Sequence, residues 1–446
     1  MKHIRLSLLF GLIAISMQGQ ILTKEKAIKL TLANNFDIQI ANNSADIAEN
    51  NAGILNSGYL PSLRGDAGAN YQKASTTTSF PGTVDGDGIP RPDNVIEGAE
   101  TQRYNAGLTL NYTLFDGLGR YYTYKSLKER YNLSKLQARE TIENTVLQLF
   151  SVYYEVARLT ENIKILEEAL QISQDRVTRA NYQFDYGQNT KLDVLNAQVD
   201  VANDSINVLN AKQQLITTKR DLNLVINREL NQEFVVDTLV QFVPKITLED
   251  YVKEAPANNV SLLQNEQNIQ LSAYDIKINK SGYLPTVGLN GSYGWNQARN
   301  PAGVFFPGNI SNATALGAGV SLTWNIFDGG STAVRVKNAK LAYENQELLK
   351  DRVVAEVKRD IANAFSNYEN RISIFAIQEQ NVLTNENNFE RSKERFKLGQ
   401  ITSIEFRQAQ INLTNAKANR TLAKYDAKLA ELQLLQLTGQ LLNWRF

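Results

Sequence analysis

Apolar and polar residues alternate strictly in four separate stretches of the chain. In the first, "LRGDAGANYQ", Leu63, Ala67 and Tyr71 share one face, while Arg64 and Asn70 share the other. A period of two predicts half-buried β-strands, and each stretch is about ten residues long with aromatic residues toward its ends. This combination is typical of a transmembrane β-barrel, whereas a soluble sandwich would have more strands and shorter links. The predicted strands lie at about residues 62–72, 103–115, 285–296 and 314–327.

Each pair of predicted strands is followed by a long helical pattern. In the first pattern, Val146, Leu149, Phe150, Tyr153 and Tyr154 recur at the spacing of one helix face. No proline or glycine interrupts this pattern, so we predict a helix of about 65 residues, which is ~100 Å long at about 1.5 Å per residue. A second such helix is predicted from about residue 331 to 398. Each helix reverses at a glycine and returns, over about 191–227 and 403–437.

Three short motifs occur twice, in the same order. "SGYLP" stands at Ser57–Pro61 and at Ser281–Pro285, 224 positions apart. "LFDG" at Leu114–Gly117 matches "IFDG" at Ile326–Gly329, 212 positions apart, and "YGQNT" and "LGQIT" before the return helices are also 212 apart. The chain is therefore predicted to contain two copies of one design. Its predicted parts are a first repeat at 21–228, a connector at 229–247 and a second repeat at 248–446.

The two copies differ in the loop between their strands. Tyr59 of "SGYLP" and Asp116 of "FDG" are 57 positions apart, whereas Tyr283 and Asp328 are 45 apart. The predicted loops, at about 73–102 and 297–312, are long on one side of the sheet, as in outer-membrane barrels. The connector carries "EFVVDTLVQFVP", which we expect to add a small strand or a belt outside the helices.

The repeated motifs also predict where elements end. Pro61 cannot continue a helix, so each "SGYLP" ends one. In "FDG" the aspartate can accept backbone N–H bonds at the start of the next helix, and the glycine allows a sharp turn. The predicted strand–helix junctions are Phe115, Asp116, Gly117, Phe327, Asp328 and Gly329.

Residues 1–20 are predicted to be a secretory signal peptide. Lys2, His3 and Arg5 precede an 11-residue apolar run, Leu6–Ser16, and cleavage is expected near Gly19 or Gln20. That run is too short to span a bilayer, which takes about 20 residues. No later segment contains 18 uncharged apolar residues in a row. Any membrane crossing is therefore expected to be made by strands.

Composition excludes several classes of function. The chain has 47 basic and 46 acidic residues, a formal net charge of +1 that lacks the basic excess of a nucleic-acid binder. It has no cysteine, and its only histidine, His3, lies in the predicted signal peptide. Thiolate and imidazole sites are thus excluded, and no nucleotide-binding GxxxxGK[ST] motif is present. We predict no catalytic residue, no metal and no cofactor.

The duplicated order of half-helix, "GYLP", strand pair, "FDG", long helix, glycine tip and return helix resembles the outer membrane efflux protein family, the TolC-like channels. The resemblance implies a mixed α/β membrane protein. Four strands from each chain of a homotrimer would close a 12-stranded barrel, continued by a long α-helical barrel in the periplasm. It further implies a passive exit duct in the bacterial outer membrane, serving tripartite efflux or type I secretion. Its partners would be the lipid bilayer, a periplasmic adaptor (membrane fusion) protein and an inner-membrane RND or ABC transporter.

The same resemblance assigns roles to the two helix tips. It implies a constriction with a selectivity role for Glu405, Gln408 and Asp193. The two acids are equally consistent with helix N-termini, where the helix dipole favours negative charge. The adaptor-docking tips would be Gly187, Gln188, Thr190, Gly399, Gln400 and Thr402.

Two other functions fit parts of the pattern. A trimeric coiled-coil adhesin or structural surface protein on a barrel would also have strands and long helices, but here the helices return and the strand pairs lie between them. An enzyme would have to rely on Asp and Glu alone.

A terminal phenylalanine resembles a barrel-insertion signal, but because the predicted strands are internal we interpret Phe446 as coincidental.

Overall fold

The computed structural model describes residues 21–303 and 307–443, so the predicted signal peptide and Phe446 lie outside the described residues. The elements in chain order are β1 (Ile21–Leu22), α1 (Lys24–Asn34), α2 (Phe36–Asn51), β2 (Ser62–Thr78), β3 (Asn94–Asp116), α3 (Gly119–Asp185), α4 (Lys191–Val225), β4 (Val235–Val236), α5 (Lys245–Asn258), α6 (Val260–Ser281), β5 (Thr286–Asn300), β6 (Asn309–Thr323), α7 (Ser331–Lys397) and α8 (Ser403–Leu437).

The chain divides into two compact units. The strand unit comprises Asp46–Asn132 and Gln267–Leu348. The helix unit comprises the chain up to Ala45, then Leu133–Glu266, and the part from Leu349 onward.

The strand unit contains one four-stranded antiparallel sheet in the order β2-β3-β5-β6. Leu63 pairs with Leu110 across β2 and β3, and Leu108 pairs with Tyr293 across β3 and β5. Because directly paired residues lie on the same face of a sheet, the apolar positions of all four strands share one face. The polar positions share the other face. Strands β2 and β6 form the two edges within the chain.

The strands extend further into the loops than predicted. Strand β2 reaches Thr78, which pairs with Asn94, so that the first loop shrinks to residues 79–93. The sequence of this extension, "KASTTT", is polar at almost every position, so it lacks the alternation of apolar and polar residues from which a strand is predicted. Strand β6, in contrast, ends at Thr323, before residue 327, where the sequence predicts its end.

The helix unit is built around the long helices. Helices α3 and α7 each have 67 residues, and α4 and α8 each have 35. The core is largest where the rings of Phe150, Tyr153 and Tyr154 on α3 pack near Tyr425 of α8. Within residues 21–303 and 307–443, no helix has an apolar stretch long enough to cross a membrane.

Each predicted half-helix is broken in the middle by an asparagine. Asn35 ends α1, accepts the N–H groups of Asp37 and Ile38 at the start of α2, and donates to the Val225 carbonyl at 2.9 Å. Asn259, 224 positions later, separates α5 from α6 in the same way and donates to the Leu437 carbonyl at 2.7 Å. The break therefore ties each half-helix to the end of its return helix.

The connector packs against the middle of the helix unit. Its strand β4 pairs in parallel with β1, and the Tyr153 hydroxyl joins the two by donating to the Leu22 carbonyl and accepting from the Asp237 N–H. Farther along, the buried carboxylate of Glu431 accepts the Val243 N–H at 2.9 Å and contacts the ammonium group of Lys428. The connector is thus held by buried polar groups of α3 and α8.

Candidate functional site

Both predicted glycine tips adopt the same turn. Gly187 and Gly399 have φ of 70° and 72°, the left-handed region in which a side chain is strained. The next N–H, of Gln188 or Gln400, donates back five residues into the long helix, at 2.7 and 2.9 Å. These bonds satisfy carbonyl groups at the end of each long helix, and the chain reverses its direction directly after them.

The predicted tip acids complete capping boxes at the start of the return helices. Thr190 accepts the Asp193 N–H, and Asp193 accepts the Thr190 N–H at 3.1 Å and its hydroxyl at 2.7 Å. Thr402 and Glu405 make the same reciprocal bonds. A capping box satisfies two donors that a helix N-terminus would otherwise leave unpaired.

These hydrogen bonds favour the ionised form of both acids in the single chain. The hydrogen bonds from the Thr190 hydroxyl and N–H lower the pKa of Asp193. Those from the Thr402 N–H and hydroxyl lower the pKa of Glu405. Glu405 is exposed and Asp193 is half-buried, and Gln408 donates to Asn412 on its own helix at 2.8 Å. Each of these hydrogen bonds therefore stays within its own return helix or tip.

A set of buried charges joins the two helical hairpins near these tips. Arg407 of α8 donates to both carboxylate oxygens of Asp204 on α4, at 2.7 and 2.8 Å, and to the Ser173 hydroxyl on α3. Arg176 of α3 donates to Asp200 at 2.9 Å and to Ser403 at the start of α8. We call Ser173, Arg176, Asp200, Asp204, Ser403 and Arg407 the hairpin clamp.

The sequence analysis missed the hairpin clamp. Its ion pair joins residues 203 positions apart, and such a contact cannot be predicted from the spacing of residues within one element. One signal was available in the comparison of the two copies. At an offset of 212, Arg407 corresponds to Leu195 and Asp204 corresponds to Ala416. The Arg407–Asp204 pair therefore joins two positions at which the predicted copies differ in sequence, and it is not part of the pattern that the copies share.

The predicted strand–helix junctions lie at the ends of the strand pairs. Asp116 accepts the Arg120 N–H at 2.9 Å, and Asp328 accepts the Thr332 N–H at 2.8 Å, so each carboxylate caps a long helix. Gly117 and Gly329 follow in left-handed turns, with φ of 68° and 70°. Phe115 and Phe327 directly precede the two aspartates.

The repeated "SGYLP" packs against these junctions. Arg120 donates to the Gly58 carbonyl at 3.0 Å, and the Trp324 indole donates to the Tyr283 carbonyl at 3.1 Å. The first junction also meets the second "SGYLP", because a Cβ placed on Gly117 would lie 2.6 Å from the Ser281 carbonyl oxygen. The motif thus recurs because each copy needs the same joint between a half-helix, a strand and a long helix.

The sequence profile of the outer membrane efflux protein family matches residues 27–228 and 251–440 of the chain. The chain belongs to the outer membrane efflux protein family. The two matched segments lie within the two predicted repeats, 21–228 and 248–446, and the predicted connector lies in the gap between them.

Relatives and solved structures agree with this family. The outer membrane efflux protein BepC of Brucella suis is 23% identical over 437 residues, which covers 96% of this chain and 89% of BepC. The outer membrane protein TolC of Vibrio cholerae is 24% identical over 308 residues, covering 68% of this chain and 70% of TolC. The fold is similar to that of the Campylobacter jejuni CmeC outer membrane channel, with a TM-score of 0.71 and 18% identity over 94% of this chain and 86% of CmeC.

One further surface of this efflux protein is left uncovered by residues 21–303 and 307–443. Six apolar residues on α4 recur at spacings of three, four or seven, the pattern of a coiled-coil seam. All of them are exposed, Leu192 and Leu209 by 64% and 66%. The six are Leu192, Leu195, Val199, Ile206, Leu209 and Ile216, which we call the α4 stripe.

Across residues 21–303 and 307–443, no cluster of three or more His, Asp or Glu side chains is placed to hold a metal ion. At the tips, the polar groups that the structure brings together are the helix caps and the hairpin clamp.

Proposed function

We propose that this protein is a passive exit channel of the bacterial outer membrane, formed by three copies of the chain. The observation that carries the proposal is the sheet of the strand unit, which has one continuous apolar face and two unpaired edges, β2 and β6. Lipid does not tolerate unpaired backbone groups, so such a sheet is stable in a bilayer only when its edges pair and close a barrel. Three copies of four strands give the 12 strands that the family resemblance implies.

Two further observations support assembly. The α4 stripe is an apolar coiled-coil face with no covering element, and a second copy of the chain can bury it. The two strand pairs are joined at Thr78 and Asn94 and at Asn300 and Asn309, which lie at the end of the sheet opposite the strand–helix junctions. We infer that this end of the sheet faces the cell exterior and that the helices form a large periplasmic portion.

The helix tips are the proposed meeting point with the pump. A periplasmic adaptor protein would grip the surface formed by Gly187, Gln188, Thr190, Gly399, Gln400 and Thr402, and an inner-membrane RND or ABC transporter would drive transport. The constriction would be formed by Glu405 and Gln408 with Asp193 nearby. The transported compound passes through without covalent chemistry, so no catalytic residue is assigned.

Thiol labelling tests this topology, because the chain has no cysteine of its own. Asp85→Cys in the first loop should react with a membrane-impermeant maleimide on intact cells. Gln188→Cys at the tip should react only after the outer membrane is opened. The reverse pattern would reject the proposed orientation, and equal reaction of both variants on intact cells would favour an exposed surface protein such as an adhesin.

The assembly is tested by mass. The purified protein in mild detergent should have a protein mass somewhat below ~150 kDa, because three chains of 50.0 kDa each lose the predicted signal peptide. A folded protein that remains a single chain in detergent, as measured by light scattering, would refute the proposal.

A further inference from the structure

The polar face of the four-stranded sheet carries few charged residues. Arg64 and Asp66 lie two positions apart in β2 and therefore on the same face of the sheet. Asp116, at the junction end of β3, forms an ion pair with Arg120 at 3.2 Å. Each of these charges thus has an opposite charge nearby.

Arg103 of β3 is the exception on this face. It lies directly opposite Asn70 of β2 and opposite Ala298 of β5. Along β2, the nearest acid on the same face is Asp66, four positions from Asn70 and so about 13 Å away. The Arg103 side chain is exposed, and it forms no ion pair in the part of the chain that the structure describes. The polar face therefore has one positive charge without an opposite charge beside it.

Three asparagines lie around this arginine on the polar face. Asn70 is opposite Arg103, Asn105 follows it two positions along β3, and Asn296 of β5 is opposite Asn105. Gly68 leaves space for the Asn105 amide, since a Cβ on Gly68 would lie 2.8 Å from the Asn105 Oδ1 atom. Among the described residues, none of the three amide side chains makes a hydrogen bond. Their N–H groups are therefore available to a ligand.

These four residues form a set of donors that suits anions. A guanidinium group donates two parallel N–H bonds to the oxygens of a carboxylate, sulfonate or phosphate group. The neighbouring amides can donate to further oxygens of the same group. We call Asn70, Arg103, Asn105 and Asn296 the arginine patch.

Aromatic residues mark the height of the arginine patch in the sheet. Tyr71, Tyr104 and Trp295 lie on the apolar face, and each is the sequence neighbour of one residue of the patch. In outer-membrane barrels, girdles of aromatic residues lie where the apolar band meets water. The patch therefore lies on the opposite face of the sheet at the level of such a girdle.

We propose that three copies of Arg103 form a positively charged ring in the barrel lumen, and that this ring attracts and transiently binds anionic groups of the transported compounds. The inference rests on the proposed trimer, in which the polar face lines the lumen, and it adds the charge of the preferred substrates. The tip acids belong to the helix unit, so the two sites can differ in the charge that they prefer.

The dimensions of the proposed barrel make the ring effective. Twelve strands about 4.8 Å apart, tilted by about 40°, place the backbone roughly 12 Å from the barrel axis. The arginine side chains reach inward from there. An anion on the axis is then within about one Debye length of all three guanidinium groups, since that length is ~10 Å at about 0.1 M salt. Rings of charged side chains of this kind set the ion preference of other pores.

Arg299 of β5 provides a matched control. It lies opposite Gln102, next to the pair of Arg103 and Ala298, so the two arginines are at the same height in the sheet. Because the side chains of successive residues in a strand point to opposite faces, Arg299 lies on the apolar face. Arg299→Gln therefore removes the same charge at the same height without changing the proposed lumen.

Block of single-channel currents in a planar bilayer tests the ring. The probe is pyrenetetrasulfonate, a soluble tetra-anion, added to each side of the bilayer in turn. It should block the wild-type channel, and the block should weaken as the salt concentration rises. Arg103→Gln should weaken the block at least about tenfold, because hydrogen bonds to a charged group are lost, whereas Arg299→Gln should weaken it less than about threefold.

Two more variants make the test independent of a single substitution. Arg103→Asn is a second neutral variant and should weaken the block as Arg103→Gln does. Arg103→Lys should give an intermediate block, because lysine keeps the charge and loses the paired donors.

The outcomes separate the ring from the channel. Conducting wild-type channels that the tetra-anion does not block would overturn the inference and leave the proposed function standing. The same holds if the neutral variants of Arg103 and Arg299→Gln weaken the block equally. Wild-type trimers that insert into the bilayer and pass no current would overturn both.

Discussion

Removing Arg407 should loosen the hairpin clamp and open the start of α8. The Asp204 carboxylate is buried, and its bonds come from Arg407 at 2.7 and 2.8 Å and from the Ser173 hydroxyl at 2.6 Å. In Arg407→Met the two charge-assisted bonds are lost, and the carboxylate keeps only the neutral hydroxyl. Arg176 donates to Asp200 and Ser403 instead, so we expect it to replace the lost guanidinium only in part.

Breaking a fully buried ion pair costs about 3–5 kcal/mol, because it leaves one charge without compensation. The side chain of Arg407 is 16% exposed and that of Asp204 is 10% exposed, so water recovers part of this loss. We therefore expect roughly 2–3 kcal/mol for local opening. At about 1.36 kcal/mol per factor of ten, this is a roughly 30- to 150-fold shift toward the open state.

Amide hydrogen exchange followed by mass spectrometry measures this opening directly. Exchange over about residues 403–413 should accelerate by the same factor in Arg407→Met. The control is Lys397→Met, which removes the exposed pair with Glu394 and should change exchange by less than about fivefold, since surface pairs contribute about 0–1 kcal/mol. Adding Asp204→Leu to Arg407→Met should recover part of the protection. Unchanged exchange in Arg407→Met would refute a clamping role.

Three other variants test the tip, the connector and the junctions. Glu405→Gln should lower cation selectivity in planar-bilayer recordings with little loss of trimer stability, because glutamine can keep the capping box. Since that box lowers the pKa of Glu405, the selectivity of the wild-type channel should persist as the pH falls below 4.5, the ordinary pKa of a glutamate. Loss of selectivity at a higher pH would indicate that three clustered carboxylates raise the pKa. Lys428→Met should lower the free energy of unfolding by about 3–5 kcal/mol, because Glu431 stays buried without its cation; a far-UV circular dichroism melt unchanged from wild type would contradict this. Gly117→Ala should lower the yield of folded protein more than Gly329→Ala, because a Cβ on Gly117 would lie 2.6 Å from the Ser281 carbonyl oxygen whereas one on Gly329 would meet nothing within 4 Å; equal yields would contradict this.

The parts of the fold that the sequence could predict are those with a local period. Alternation over residues 62–72 and its repeats located the sheet strands, and the uninterrupted helical spacing located α3 and α7. The glycine tips were predictable because Gly187 and Gly399 occupy a left-handed turn that other residues adopt only with strain. Each of these features is set by neighbours within a few residues.

Features set by distant contacts could not be predicted in this way. Asn35 breaks a helical pattern because its side chain bonds the Val225 carbonyl, 190 positions away. The Arg407–Asp204 pair spans 203 positions. The tip acids were identified by resemblance, and the structure adds that Asp193 and Glu405 each complete a helix cap, a contact compatible with a second role at a constriction.

Electrical recording of the purified wild-type protein in a planar lipid bilayer tests the central claim, that the assembled chain is a membrane channel. The proposed trimer should give discrete current steps that grow with salt concentration, at protein levels where the detergent-solubilised sample contains three chains per complex. A folded trimer that inserts into the bilayer, as shown by protection of its strand unit from protease, and yet passes no current above that of the bare membrane would contradict the claim.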